Sequence, residues 1–113
     1  MKTSRILVLT LASALLSLTP SAARAGVDEG AKMFKGRCAM CHGADGSGRT
    51  ATGSKRRMRD LRSVDVQKQN DQVIGARIRN SASGTTVAAH RNRDLTPEQV
   101  SDLVAFIRTL ASK

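Results

Sequence analysis

The sequence predicts a small all-α domain, and three observations support that fold class. Apolar residues recur at helical spacing near both ends of the chain, stretches rich in Gly and Ser separate the candidate helices, and little of the chain alternates as a strand would. The chain has 113 residues but only two aromatic side chains, Phe34 and Phe106. A domain so poor in large apolar side chains would gain stability from a large apolar object bound at its centre.

The N-terminal segment is typical of a signal peptide. A basic start precedes an apolar run at 6–18, and Ala23 and Ala25 supply small residues at a cleavage site. The run is shorter than the roughly 20 residues that a membrane span requires, so cleavage is favoured over retention as an anchor. We therefore expect a signal peptide at 1–25, export to the periplasm and a single mature domain at 26–113.

The first helix is predicted to begin at about Asp28 and to end at Cys41. Ala31, Phe34 and Cys38 share its apolar face with Cys41, because they recur at intervals of three and four residues. The acidic residue at the start suits the positive end of the helix dipole. The stretch that follows, GADGSGRTATGS, is rich in Gly, Ser and Thr and is predicted to be a loop. The next stretch, KRRMRDLRS, is predicted to be a basic connector with room for a short helical turn.

A middle helical segment is predicted over 64–80. Asn70 is its candidate N-cap, with Asp71 in the first turn. The apolar face of this segment is predicted to consist of Val73, Ile74 and Ile78.

The last helix has the clearest start signal. Thr96 is the candidate N-cap, Pro97 occupies the first helical position and Gln99 the third, which together make a capping box. Leu95 and Val100 are placed to form a hydrophobic staple across that start. An apolar stripe at helical spacing follows and predicts a buried face: Val100, Leu103, Val104, Ile107, Leu110 and Ala111.

The stretch CAMCH at 38–42 holds both cysteines of the chain and one of its two histidines. A disulfide between Cys38 and Cys41 would close a very small loop, stabilise little and leave His42 without a role. Thiol exchange uses such a pair at a helix N-terminus after a strand, whereas this pair ends a helix. A structural zinc site needs four ligands, so Cys38, Cys41 and His42 would need His90 as the fourth. Cys41 and His42 are adjacent, which makes tetrahedral ligation by both of them awkward.

Haem attachment uses all three reactive side chains, since C-x-x-C-H is the attachment signature of haem c. The thiols of Cys38 and Cys41 would add to the two vinyl groups as thioethers, and their spacing on one helical turn matches that of the vinyls. His42 would then reach the face of the ring as the proximal iron ligand. The motif therefore predicts one haem c per chain.

Three segments resemble the small class I c-type cytochromes. GAKMFKGRCAMCHGADGSG is similar to their N-terminal helix and attachment site, RDLRSVDVQKQNDQVIGARIRN to their middle segment, and LTPEQVSDLVAFIRTL to their C-terminal helix. The resemblance covers nearly all of 26–113. It implies three or more helices wrapped around one covalently bound haem, with the first and last helices crossing near Phe34 and Phe106. It also implies a mono-haem one-electron carrier rather than an enzyme.

One position departs from the family pattern. The loop before the last helix usually carries a methionine as the sixth iron ligand, and Val87 stands in its place. His90, three residues further on, is the candidate distal ligand, and the alternatives are Met58 or no side chain at all. An open or weakly ligated distal site would make the protein a ligand sensor or a weak peroxidase instead. Of the remaining methionines, Met33 is expected to pack and Met40 to face solvent.

The charge balance favours an acidic partner. The chain has 19 Lys and Arg against 9 Asp and Glu, a net charge of +10, and the excess is concentrated in one basic patch: Arg49, Lys55, Arg56, Arg57, Arg59 and Arg62. An exported chain without aromatic stacking platforms is not expected to bind nucleic acid. We expect an acidic redox partner protein and a monomer, with a membrane surface as an allowed but unnecessary partner.

Overall fold

The computed structural model describes residues 22–81 and 94–112, which form six α-helices and a terminal 3₁₀ turn. The helices are α1 (Ala22–Arg37), α2 (Ala39–His42), α3 (Ala51–Arg56), α4 (Val64–Gln67), α5 (Asp71–Asn80) and α6 (Pro97–Thr109), and the 3₁₀ turn is Leu110–Ser112. No strand occurs among the described residues, and the predicted all-α class is confirmed. Within the same ranges, none of the helices combines the length and the apolar character that crossing a membrane requires.

The crossing of α1 and α6 forms the core. Phe34 of α1 is 2% exposed, and its ring centroid lies 5.0 Å from that of Phe106 in α6, with 51° between the ring planes. Such tilted aromatic pairs add to the stabilisation that burial alone supplies, and the predicted pair at this crossing is confirmed. The buried apolar cluster around it joins α1, α5 and α6: Phe34, Ile74, Leu103, Val104, Ile107 and Leu110.

Gly30 lets the two helix backbones approach closely at this crossing. A Cβ atom at position 30 would overlap the backbone carbonyl of Asp102 in α6 and would lie 3.0 Å from the Cβ atom of Phe106. Because the obstacle is backbone rather than a flexible side chain, only glycine fits without a shift of α6. Helical periodicity does not reveal this requirement, since it says nothing about what packs against the helix.

Helix α6 begins where the capping box predicts. The Thr96 hydroxyl accepts a hydrogen bond from the Gln99 N–H (3.2 Å), and Gln99 Oε1 accepts one from the Thr96 N–H (2.9 Å). Pro97 stands at the start of the helix, and Val100, the first residue of the apolar stripe, is buried. The cap therefore fixes the end of α6 whose buried face packs on α1 and α5.

Helix α1 differs from the prediction at both ends. It begins at Ala22 rather than near Asp28, because the alanines and arginine before position 26 favour helix and extend it. Asp28 therefore lies within the helix rather than in its first turn. At the other end α1 stops at Arg37, and Cys38 forms a turn before α2. One thiol of the motif thus lies in the turn and the other, that of Cys41, lies in α2.

The middle of the chain shows two further differences. Helix α3 forms inside the stretch predicted as loop, because the Thr50 hydroxyl caps it by accepting a hydrogen bond from the Gly53 N–H (2.8 Å). The predicted middle helix is divided into α4 and α5, and Asn70 caps α5 as predicted, through the Val73 N–H (2.9 Å). Of the apolar face predicted for this segment, Ile74 is buried in the core, whereas Val73 is 38% exposed.

Arg108 ties α6 to the end of α4 and the start of α5. Its guanidinium donates to the backbone carbonyl of Gln67 and pairs with the carboxylate of Asp71 (2.6 Å each). The side-chain amide of Gln67 also donates to the carbonyl of Ile107 in α6 (3.1 Å). These bonds satisfy carbonyls that helix ends leave without partners and hold α5 against α6.

Replacement of Gly30 by Ala is expected to lower the free energy of unfolding by about 1–3 kcal/mol, because the added methyl group forces α1 and α6 apart. Chemical denaturation followed by circular dichroism measures the change. The matched control is Gly36→Ala in the same helix, where an added Cβ meets no atom within 4 Å. This control is expected to stabilise slightly through the higher helix propensity of Ala. Equal effects of the two replacements would contradict the close crossing.

Candidate haem site

A cavity of about 440 Å³ opens beside the α1–α6 core. Its walls come from the CAMCH motif, the loop after α3, and helices α5 and α6. Its volume lies within the range of small-molecule and cofactor sites, and its lining is mostly apolar, as such sites require. The apolar side chains that line it are Phe34, Met58, Leu61, Val66, Ile74, Ile78, Leu103 and Ile107.

The three reactive side chains of the motif all line this cavity. Cys38 lies in the turn after α1, and the His42 N–H donates to its carbonyl (2.9 Å), which brings Cys41 and His42 back beside it. Both cysteines are free thiols, so each sulfur is available for a thioether bond. The structure therefore brings the predicted attachment residues together at one wall of the cavity.

Thiol exchange is disfavoured by the surroundings of Cys38. Burial raises the pKa of its thiol to about 11, whereas exchange requires a thiolate at neutral pH. The zinc hypothesis gains nothing from the described residues, where no group of three His, Cys, Asp or Glu side chains could hold a metal ion. His90, which that hypothesis also needs, lies outside them.

The imidazole of His42 is half-buried at the cavity. Its ring centroid lies 6.3 Å from that of Phe34, and within the described part of the chain its Nδ1 atom is buried without a hydrogen-bond partner. Burial lowers the pKa of this imidazole, which favours the neutral ring, the form that binds metals. A neutral imidazole beside an apolar cavity is the form that would ligate the iron of a bound haem.

The loop after the motif holds the backbone of α2. The Gly48 N–H donates to the His42 carbonyl (2.7 Å), and Gly48 has a left-handed φ of 73°. The Thr50 hydroxyl lies 2.9 Å from the Cys41 carbonyl and 3.0 Å from the Met40 carbonyl, so it bonds the end of α2 while it caps α3. These contacts serve carbonyls that so short a helix leaves without helical partners.

Gly53 is a residue of this site that the sequence interpretation missed. A Cβ atom there would overlap the carbonyl oxygens of both Cys41 and Gly48. Helix α3 therefore packs directly on the backbone of the motif, which only a residue without a side chain allows. Gly53 stands three residues after Thr50, and a threonine hydroxyl caps a helix by accepting a hydrogen bond from the N–H at that distance. This spacing is the local signal that indicates a helix here rather than a loop.

The methionines occupy different environments. Met40 is 52% exposed and Met33 packs against the core, as predicted. Met58 is half-buried and lines the cavity. A Cβ atom added at Gly48 would lie 2.8 Å from the backbone carbonyl oxygen of Met58. The backbone of Met58 therefore packs closely on the loop that follows the motif. His90 lies outside the described residues.

Among residues 22–81 and 94–112, five arginines line the cavity and no Asp or Glu does. Arg37 is one of them, and it pairs with Asp94 (2.8 Å). Arg62, which the sequence placed in the basic patch, does not line the cavity: it pairs with Asp60 (2.8 Å), and this bond lowers the pKa of Asp60 to about 2. The cavity-lining arginines are Arg37, Arg56, Arg57, Arg59 and Arg77.

The helical fold and this site are those expected of a protein that carries a covalently attached haem. The family profile described as Cytochrome c matches residues 27–111, and the chain belongs to the cytochrome c family. It is 33% identical over 114 residues to cytochrome c6 of Thermosynechococcus vestitus (strain NIES-2133 / IAM M-273 / BP-1) and 32% identical over 114 residues to cytochrome c6 of Thermostichus vulcanus. Each alignment covers 100% of this chain and 96% of the relative. No matching solved structure was found.

The protein is thus a small class I c-type cytochrome. It is an electron-transfer protein and not an enzyme. It carries one haem c per chain. The residues present fit that group, since two free thiols and a half-buried imidazole line one apolar cavity.

Replacement of Thr50 by Val is expected to lower the free energy of unfolding of the haem-loaded protein by about 1–2 kcal/mol. Valine keeps the shape of the side chain but loses the cap on Gly53 and the bond to the end of α2. Thr50→Ser, which keeps the hydroxyl, is the control and is expected to lose much less. Denaturant unfolding measures both, and equal losses would show that the hydroxyl does not hold α2 and α3 together.

Proposed function

We propose that the protein is an exported mono-haem one-electron carrier, with the haem attached at Cys38 and Cys41 and ligated by His42. One observation carries the proposal: two thiols and an imidazole meet at one wall of an apolar cavity of about 440 Å³. The bound haem supplies an iron that alternates between the ferrous and ferric states. The residues of the chain hold that group, orient it and shield it from water.

The apolar walls of the cavity would determine how much water reaches the haem and how polar its surroundings are. Phe34, Leu103 and Ile107 belong to the packed crossing of α1 and α6, so they form a rigid wall that excludes water and lowers the local dielectric constant. On the other side, the bonds from Gly48 and Thr50 hold the backbone of α2. A rigid surround favours electron transfer, because little has to rearrange when the charge of the group changes.

We propose His90 as the sixth iron ligand. The stretch that carries it, 82–93, joins two residues beside the cavity: Ser81 lines the cavity, and Asp94 is bound to Arg37, which lines it as well. Anchoring of both ends beside the cavity supports a ligand from this stretch.

Met58 is the weaker candidate for the sixth ligand. Its backbone packs on Gly48, whose N–H is bonded to the carbonyl of His42. These contacts tie the backbone of Met58 to the segment that would already supply His42, whereas His90 would come from a separate segment of the chain.

His90→Ala is expected to convert the ferric protein from low spin to high spin, because a strong-field ligand is lost. Low-temperature EPR measures the change, and Met58→Leu is the control that keeps the parent spectrum. An unchanged low-spin signal in the His90 variant would exclude His90. Rapid binding of carbon monoxide by the reduced parent protein would favour the alternative of an open distal site, as in a ligand sensor or a weak peroxidase.

The redox partner is proposed to be an acidic protein that docks on the side of α2 and α3. Arg49 and Lys55 are exposed at or near α3, and neither lines the cavity. Met40 is exposed between the two thiols and offers an apolar contact beside the haem edge. Cations around an apolar contact steer an acidic partner and raise the rate of association. A short-lived complex of this kind suits a monomer.

Arg49→Gln/Lys55→Gln is expected to slow electron exchange with an electrode coated with a carboxylate-terminated monolayer. The charge-matched control, Lys68→Gln/Arg79→Gln, removes two exposed cations elsewhere and is expected to exchange nearly as fast as the parent. Voltammetry at low ionic strength measures the rates, and added salt should reduce the difference because it screens exposed charges. Equal rates for the two double variants would contradict docking at α3.

Export to the periplasm, with cleavage after Ala25, rests on the composition of 1–25. Helix α1 runs through position 25, so cleavage would leave a mature helix that starts near Gly26. The core contacts of α1 begin beyond that point, at Gly30 and Phe34. The proposed mature domain, 26–113, therefore keeps the whole α1–α6 crossing.

A further inference from the structure

The carboxylate of Asp102 in α6 lies against the residue at which the proposed mature chain begins. A Cβ atom added at Gly26 would lie 2.8 Å from Asp102 Oδ1. The backbone nitrogen of a residue is about 2.5 Å from its Cβ position, so the nitrogen of Gly26 stands within about 5.3 Å of that carboxylate oxygen. Gly26 and Asp102 are both half-buried, so this contact lies at the edge of the α1–α6 crossing.

The backbone of Asp102 is fixed at the same crossing. Its carbonyl is the group that a Cβ atom at Gly30 would overlap, one helical turn further along α1. Within residues 22–81 and 94–112, no ion pair includes Asp102. Its carboxylate is therefore held beside α1 and has no cationic side chain paired with it in that part of the chain.

Cleavage after Ala25 would change the group that this carboxylate meets. In the full chain Gly26 lies inside α1, which begins at Ala22, and its nitrogen belongs to a neutral amide. Cleavage converts that nitrogen into an α-amino group, whose pKa is ordinarily about 7.7–8.0, so it is a cation at neutral pH. It also removes the carbonyls that the first N–H groups of the shortened helix would otherwise bond.

The charges around Gly26 favour a cation at this position. Asp28 and Glu29 lie within one turn of Gly26 on α1, and Asp102 approaches from α6. Glu29 pairs with Lys32 (2.6 Å), whereas Asp28, like Asp102, takes part in no ion pair among the described residues. Because Asp102 is half-buried and Asp28 is exposed, a cation at Gly26 would be screened less by solvent when it pairs with Asp102.

We propose that the α-amino group freed at Gly26 pairs with the carboxylate of Asp102 and so fastens the start of the mature α1 to α6. This inference rests on the proposed function, since it requires export and cleavage after Ala25. The precursor cannot form the pair, because position 26 carries no charge there. Asp102 is then a positioning residue, which acts on the haem site through the crossing that places the end of α1 beside the CAMCH motif.

The test is a thermodynamic cycle on the haem-loaded, processed protein. Asp102→Asn is made in the parent and in an extended form that carries Ser-Gln inserted between Ala25 and Gly26. Two added residues turn the helix by about 200° and lengthen it by about 3 Å, so the amine leaves the face that meets α6. Asp102→Asn is expected to lower the thermal midpoint of the parent by about 4 °C or more, and that of the extended form by less than half as much.

Glu98→Gln is the matched control, because Glu98 is exposed and lies one turn before Asp102 on α6. It is expected to shift the midpoint equally in the parent and the extended form. The extension alone is expected to lower the midpoint of the parent, and this comparison does not depend on the folding of the Asp102 variant. An unchanged midpoint on extension would overturn the proposal.

Mass spectrometry of each purified form separates the two levels of the inference, because it gives the first residue of the processed chain. A parent chain that does not begin at Gly26 would overturn the proposed cleavage, and the pair with it. A parent that begins at Gly26, with equal losses from Asp102→Asn in the parent and the extended form, would overturn only the pair. Asp102 would in that case stabilise the crossing without the amine.

Discussion

The close backbone contact of α1 with α6 at Gly30 is the constraint on which the rest of the structure depends. Without it the Phe34 ring would not reach Phe106 and the buried face of α6. Because α1 ends immediately before Cys38, the same contact fixes where the CAMCH motif stands relative to the α6 wall of the cavity. The position of the motif at the cavity thus depends on the absence of a side chain at Gly30, in the helix that directly precedes the motif.

Some charged side chains of the protein form ion pairs that stabilise the fold, and others line the cavity. Asp60, Asp71 and Asp94 bind arginines that hold loops and helix ends in place. Within the described residues, four other arginines form no ion pair and line the apolar cavity, where their field favours negative charge: Arg56, Arg57, Arg59 and Arg77. The basic patch of the sequence therefore contains cations in three different environments. Some form structural ion pairs, some line the cavity, and some lie on the exposed surface away from it.

Local signals in the sequence predicted those parts of the fold that neighbouring residues determine. The caps at Thr96 and Asn70 and the spacing of the motif depend on residues within a few positions, and the structure agrees with the caps and with the convergence of the motif on one cavity. Gly30 and Gly53 escaped prediction, because each is required by backbone that is distant in sequence or belongs to another element. The burial of residues on α5 also depended on how that helix turns toward α6, which periodicity alone does not determine. For the same reason the sequence grouped Arg62 with the basic patch and left out Arg77, which tertiary structure brings to the cavity.

The central claim, that one haem is bound covalently at Cys38 and Cys41, is tested most directly by mass spectrometry of the purified protein before and after proteolysis. The account predicts a mature chain that begins at Gly26 and is heavier by one haem, with the added mass on the peptide that contains both cysteines. That mass should persist in acid acetone, because thioether bonds do not release the group. An intact protein of unmodified mass, with both thiols open to alkylation after denaturation, would contradict the account.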